Sequence, residues 1–239
     1  MLFLCSFLPV PFLLYLYNKN GNSYNLVFFS LFLFILVLVF LKKKTDKKIY
    51  DILLEQCDPK SYKEFQVSLS EKNKNNIFFK QEVAIACYYL GEFKQSITLF
   101  KYILPKYKTA KQKIFAYYWQ GLCYIFLGEQ ELSKHCQTSI ESILKSEKLK
   151  KQEQVDGQFL LNKLSLFNSI ILDKLDKHAA IENLTAMNEL SKIERYYLLG
   201  VNEWNKQNFT NANEYFHRIE HKKEDLFYVK DAKNKINLY

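Results

Sequence analysis

The pattern of apolar and polar positions changes character near Lys42. Residues 26–41, LVFFSLFLFILVLVFL, are apolar at every position but Ser30. From Ile49 onward, apolar residues recur instead at helical spacing, interrupted by short polar turns. Ile49, Ile52, Leu53 and Leu54 begin one such face, and Asp58-Pro59 ends it, because a proline disfavours helix at the residue before it. NKNN at 73–76 reads as a loop, after which 77–90, 93–104, 112–127 and 130–145 alternate as helices and turns. The stretch 146–154, SEKLKKQEQ, is a polar break or a solvated helix end. Helix pairs resume at Val155 and run to about Ile219, and 222–239 reads as a final amphipathic helix. No strand-like alternation of useful length interrupts this, so the expected fold class is all-α.

The run at 26–41 is too uniform for a soluble helix. Sixteen helical residues extend about 24 Å, slightly short of a hydrocarbon core of about 30 Å, and Ser23, Tyr24 and Asn25 can prolong it into the interfacial zone. A second apolar run, LFLCSFLPVPFLLYLY at 2–17, contains Pro9 and Pro11 but lacks both a basic residue ahead of it and a small-residue cleavage pattern behind it. It is expected to span as the first arm of a hairpin turned at 18–25. Lys42, Lys43, Lys44, Lys47 and Lys48 crowd one side of the second span, with Lys19 alone on the other. The positive-inside bias then puts residues 42–239 in the cytoplasm. The expected organisation is a two-span membrane anchor at 1–41, a basic juxtamembrane segment with a degenerate first helix pair at 42–76, and a helical repeat domain at 77–239.

A search for internal periods finds a repeating frame. Twelve residues on from Ala84, Gly121 and Gly200 stand Ser96, Ser133 and Ala212. Seven on stand Gly91, Gly128 and Gln207, each in a turn, and nineteen on stand Ile103, Ile140 and Ile219. Aromatics fall nine on at Phe93 and Phe209, and sixteen on at Phe100 and Phe216. A fourth frame starts at Phe167, with Ala179 and Ala186 twelve and nineteen on. Small residues facing each other let two helix axes approach closely, and the aromatic and Ile positions fill the interface with the next pair. Neither helix of a pair can bury its apolar face alone, so pairs stack.

These residues resemble the tetratricopeptide repeat family. Its aromatic-x2-Leu-Gly-x2-Tyr motif, followed by Ala and Phe, is similar to Tyr117-x2-Gln120-Gly121-x2-Tyr124 and to Tyr196-x2-Leu199-Gly200-x2-Glu203 with Ala212 and Phe216. The segment Ala84, Cys87, Leu90-Gly91-Glu92-Phe93, Ser96, Phe100 is similar too. The resemblance covers about residues 77–220. The frames lie 37, 46 and 33 residues apart, against about 34 for the family, so an insertion separates the second and third frames. Phe167 departs from the small residue of the motif, and Gln130 and Gln137 stand where aromatics are expected. The resemblance implies a right-handed superhelical array whose first helices line a groove. Carried over position by position, the groove candidates are Gln81, Tyr88, Tyr89, Tyr118, Asn168, Tyr197 and Trp204. Each aromatic among them suits core or inter-repeat packing as well as ligand contact. The family's clamp for a terminal carboxylate is absent, since Gln81, Ile85 and Trp119 occupy the corresponding positions.

Composition narrows the remaining classes. Aromatic residues make up 16% of the chain, while Gly (6) and Pro (4) are scarce, which suits long helices. Basic residues are nearly all Lys; the only arginines are Arg195 and Arg218. That bias points to an AT-rich, bacterial source and disfavours bidentate recognition of nucleic acid. The formal charge of +9 is dispersed, with Lys and Glu alternating, so no nucleic-acid partner is expected. Cys5, Cys57, Cys87, Cys123 and Cys136 show no CxxC spacing and read as reduced, buried residues. His135 and Cys136 point about 100° apart on a helix, and His217 and His221 lack two further ligands, so no metal is expected. No HExxH, GxSxG, Walker loop or GxGxxG occurs, and no cofactor is implied. The expectation is therefore a non-enzymatic, membrane-anchored scaffold or adaptor that binds a protein or peptide partner. The alternatives are a peptide-sensing membrane regulator with its ligand in the groove, and an enzyme of unrecognised type.

Overall fold

The structure, a computed structural model, describes residues 24–74 and 76–238, with the helical backbone alone at 24–30 and 41–46. The apolar run at 2–17, expected as a first span, lies outside the described residues. The chain divides into two units, one ending at Ile49 and one beginning at Tyr50.

In the first unit, helix α1 (Tyr24–Leu54) begins. Its side chains Leu31–Phe40 are ten consecutive apolar residues, each between 36% and 66% exposed. These ten cover about 15 Å of helix axis. Among the described residues no helix is long and apolar enough to cross a membrane, so the expectation of two spans finds no support in them.

The second unit is all-helical among the described residues. After the last turn of α1 come α2 (Pro59–Lys72), α3 (Ile77–Tyr89), α4 (Phe93–Ile103), α5 (Ala110–Phe126), α6 (Gln130–Ser146), α7 (Lys151–Ile171), α8 (His178–Glu182), α9 (Glu189–Asn205), α10 (Phe209–His217) and α11 (Phe227–Ile236). The boundaries have local causes. Asp58 caps α2 by accepting from the Ser61 amide at 3.0 Å, with Pro59 at a first-turn position where no amide hydrogen is required. Thr109 and Gln112 form a reciprocal capping box on α5, and Asn188 with Ser191 does the same on α9.

The helix ends repeat the spacing of the frames and extend it by one step toward the N-terminus. Left-handed backbone occurs at Cys57, Gly91, Gly128, Lys174 and Gln207, and successive members lie 34, 37, 46 and 33 residues apart. At three of them the hydrogen bonds close in one pattern. Glu92 donates to the Cys87 carbonyl and Gly91 to that of Tyr88, at 2.8 and 2.9 Å. Glu129 and Gly128 bond Tyr124 and Ile125, and Asn208 and Gln207 bond Glu203 and Trp204. Each pair of bonds satisfies carbonyls that the helix end leaves open and reverses the chain into the next helix. Three helix pairs pack in this way, α3/α4, α5/α6 and α9/α10, while α2 packs on α3, α7 on α5 and α6, and α8 on α9, with α11 following.

Neighbouring pairs stack through their first helices, α3 on α5, α5 on α7 and α7 on α9. Small residues permit the approach. The Ser96 hydroxyl donates to the Ala84 carbonyl at 2.8 Å, and a Cβ added at Gly121 would stand 2.7 Å from Leu164 and 3.3 Å from the Cys136 Cβ. Two elements differ from the sequence expectation. Helix α7 starts at Lys151 instead of Val155, and the helix after it, α8, is five residues long and packs on α9, leaving Ala186 in a loop. The segment DKLDKH at 173–178 and NLTAMN at 183–188 carry too few apolar residues at helical spacing to prolong α8.

Candidate functional site

The first helices α3, α5, α7 and α9 present the residues on which a groove would be built, and α11 lies against them. It packs on α9, α10 and, far back along the chain, α3. Leu226, Tyr228, Val229 and Ala232 have no exposed surface. Phe227 sits edge-on to Phe93 at 4.9 Å and to Phe126 at 4.7 Å between ring centroids. It also fills the space over Gly91, where an added Cβ would meet the ring at 3.4 Å.

Of the seven groove candidates, Tyr88, Tyr89, Tyr118 and Tyr197 are brought together, and all are buried. The Tyr88 ring meets Trp119 at 5.0 Å and Tyr89 at 5.1 Å, and Tyr197 meets Tyr228 at 4.9 Å. Hydroxyls close the cluster on α11. Those of Tyr88 and Tyr228 are 2.8 Å apart, that of Tyr197 donates to Asp231 at 2.7 Å, and that of Tyr228 donates to Glu194 at 3.2 Å. The other three stand apart from this cluster. Gln81, half-buried, accepts from Tyr107 at 2.6 Å. Asn168, buried, bonds Asp173 at 3.0 Å and Ser133 at 3.4 Å. Trp204, half-buried, packs edge-on to Phe209 at 5.0 Å under the Lys235 ammonium.

Beneath the tyrosines lies an ion pair that sequence reading missed. Lys163 of α7 pairs with Glu194 of α9, with only 19% and 7% of the two side chains exposed. Burial works against the lysine charge, but Glu194 and the phenols of Tyr118 and Tyr89 outweigh it and hold its pKa above the usual lysine value. Burial likewise pushes the phenols of Tyr88, Tyr89, Tyr197 and Tyr228 well above the ordinary range and that of Tyr118 up to about 12. They are neutral hydrogen-bonding groups at any ordinary pH. A signal for the pair existed in the sequence: Glu194 falls on the stripe Leu190, Glu194, Tyr197, Val201, where a charge needs a buried partner.

The thiols of Cys87, Cys123 and Cys136 are pushed up to about 12 by burial and that of Cys57 to about 11, which leaves them protonated and unreactive. His135 is exposed beside buried Cys136, and His217 bonds Glu220 at 2.9 Å. Among the described residues no group of three or more His, Cys, Asp or Glu is placed to hold a metal ion.

Fold and site together define an all-helical array of packed helix pairs, compatible with a tetratricopeptide-like repeat, with its C-terminal helix packed on α3, α9 and α10. No family model, no curated protein and no solved structure matches the chain.

Proposed function

We propose that the chain is a tetratricopeptide-like adaptor, tethered to a membrane by its apolar N-terminal segment, that recruits a protein or peptide partner on the cytoplasmic side. The reading is carried by α11. An amphipathic helix lies on the inner helices, gripped by ring contacts and phenol hydrogen bonds of the kind a partner helix would use. In this reading α11 is the chain's own occupant of a helix-binding groove, and an aromatic-rich amphipathic helix of a partner competes for it. The 34-residue step from Cys57 to Gly91 and the 33-residue step from Lys174 to Gln207 support kinship with the family.

The tether rests on the exposed run Leu31–Phe40 and its sequence continuation over 26–41, which no water-soluble surface would carry bare. Residues 2–17 would form the other arm of a hairpin, and the lysines from Lys42 to Lys48 set the orientation. A peptide-sensing variant of the same groove draws on Trp119, whose indole N–H is buried beside Tyr88 without an acceptor. A peptide carbonyl arriving as α11 leaves would supply one.

The test is binding in trans. A chain ending at Asp225, kept in neutral detergent, is titrated with a synthetic peptide of residues 226–239. Saturable binding, weakened at least tenfold by Tyr228→Ala in the peptide, is expected. A truncated chain without a cooperative melt, or one indifferent to the peptide, reduces α11 to a piece of the core and overturns the groove reading. Separately, alkaline washing of membranes should leave the full chain in the pellet and release a chain starting at Tyr50; release of both would remove the tether.

A further inference from the structure

The only two arginines of the chain meet at one place. Arg195, on α9, has its guanidinium carbon 5.7 Å from the centre of the Tyr196 ring; Arg218, just past α10, lies 5.2 Å from the same ring and 5.7 Å from that of Tyr215. Arg218 is exposed and the other three residues are half-buried, so the cluster opens to solvent. In a chain whose other basic side chains are lysines, both guanidiniums converge on one phenol.

Their charges are not neutralised. Among the described residues neither arginine has a carboxylate within ion-pairing distance, whereas cations close to them in sequence do. Lys192 and Lys222 share Glu189 at 3.3 and 2.8 Å. The guanidinium of Arg218, followed by that of Arg195, holds the Tyr196 phenol below its ordinary pKa. A position that favours a phenolate oxygen favours any other oxyanion delivered there.

We propose that Arg195, Arg218 and Tyr196 form a binding site for a phosphate monoester carried by a protein side chain or a small molecule. The site goes beyond the groove reading and does not depend on it. Two planar forks offer paired donors to two edges of a phosphate, and the Tyr196 hydroxyl supplies a further donor from between them. Two full charges match a group that carries −1.5 to −2 near neutral pH, whereas a lone carboxylate would satisfy one fork and leave the other bare. The rings of Tyr196 and Tyr215 wall the site and give the carrier of the phosphate an apolar surface to rest on. A membrane surface is disfavoured, since recognition of anionic lipid uses clusters of about four to eight basic residues and the neighbouring lysines are already paired.

The full chain in neutral detergent, labelled with nitrogen-15, tests this without mutation first. Two arginines give two Nε–H signals, one for each side of the site. Inorganic phosphate and phosphoserine, added at low ionic strength, are expected to shift both signals saturably, with acetate at least tenfold weaker. Arg195→Gln and Arg218→Gln should each weaken phosphate binding tenfold or more, and the double lysine variant should not restore it, because a point charge lacks the fork. Lys106→Gln, beside Tyr102, should change nothing. The proposal is overturned if acetate binds as well as phosphate, if neither signal moves, or if the signals respond only to micelles doped with phosphatidic acid. Phosphoserine binding with no response to inorganic phosphate would overturn it too, by showing recognition of the carrier alone.

Discussion

Helices α7 and α8 and the helix pair α9/α10 follow one another along the array but are built differently. In α9/α10 the first helix carries Gly200, and the Phe216 ring of the second helix lies so close that an added Cβ would overlap it. The second helix runs from Phe209 to His217, and Ala212 and Phe216 are fully buried. In α7/α8 the corresponding position is Phe167, whose ring is fully buried and meets Phe126 of the preceding pair at 6.1 Å. Helix α8 is five residues long, and Val155 and Phe159 on the 21-residue α7 stay 56% and 58% exposed. The gap at Gly200 seats a full second helix on α9; the Phe167 ring faces the preceding pair and α8 packs on α9, which leaves α7 half-clothed. Both α7 and α9 are still followed by a left-handed residue, Lys174 or Gln207. The turn is therefore the more persistent part of the repeat.

The largest expected effect lies on the bond between α7 and α9. Glu194→Ala removes the partner of Lys163 and leaves a charge in a mostly buried place, which should cost about 3–5 kcal/mol in chemical denaturation. Replacing both residues by Met should recover most of that loss, since the desolvation of both charges disappears with them. If the single variant melts like the wild type, the lysine reaches water, and the pair is not what joins α7 to α9.

Next in size is Gly200→Leu. Overlap with Phe216 has to be relieved by parting α9 from α10, at about 3 kcal/mol. A matched control is Gly128→Ala, where nothing lies within 4 Å and the cost comes from the left-handed backbone alone, about 1 kcal/mol. Equal melts for the two would mean that close approach at the frame position is not what admits the second helix.

How far these contrasts could be read in advance depends on the kind of feature. Close-packed frame positions and turns were legible, because Gly91 and Gly128 answer a local backbone demand and Gly121 and Gly200 face a residue of their own pair at a similar offset, Cys136 and Phe216. Gly157 escaped the frame, although an added Cβ there would stand 2.8 Å from Leu144, because the contact crosses from one pair to the next and has no fixed offset. Packing of Tyr88 and Tyr197 into the core was a reading their aromatic character allowed, but the helix that buries them was not legible. Their burial follows from where α11 docks, and the apolar period of 222–239 says that a helix has a greasy face without saying which surface receives it. The ion pair Lys163–Glu194 joins residues 31 apart in sequence; the stripe around Glu194 signals that a partner is needed without saying which lysine supplies it.

The smallest effect separates the turn from the helices it joins. Gln207 adopts φ of 60°, where a side chain crowds the following carbonyl, while its counterparts Gly91 and Gly128 carry none. Gln207→Gly should relieve the strain. Part of the gain is lost to the greater freedom of glycine in the unfolded chain, leaving about 0.5 kcal/mol of stabilisation, a rise of about 1–2 °C in melting temperature for a domain of this size. Lys174→Gly, at the turn after α7, should give a gain of similar size if the turns are equivalent units of the repeat. A gain at Gln207 with a loss at Lys174 would mean that the turn after α7 is held by its own side chain, and the likeness between the two turns would then end at the backbone angle.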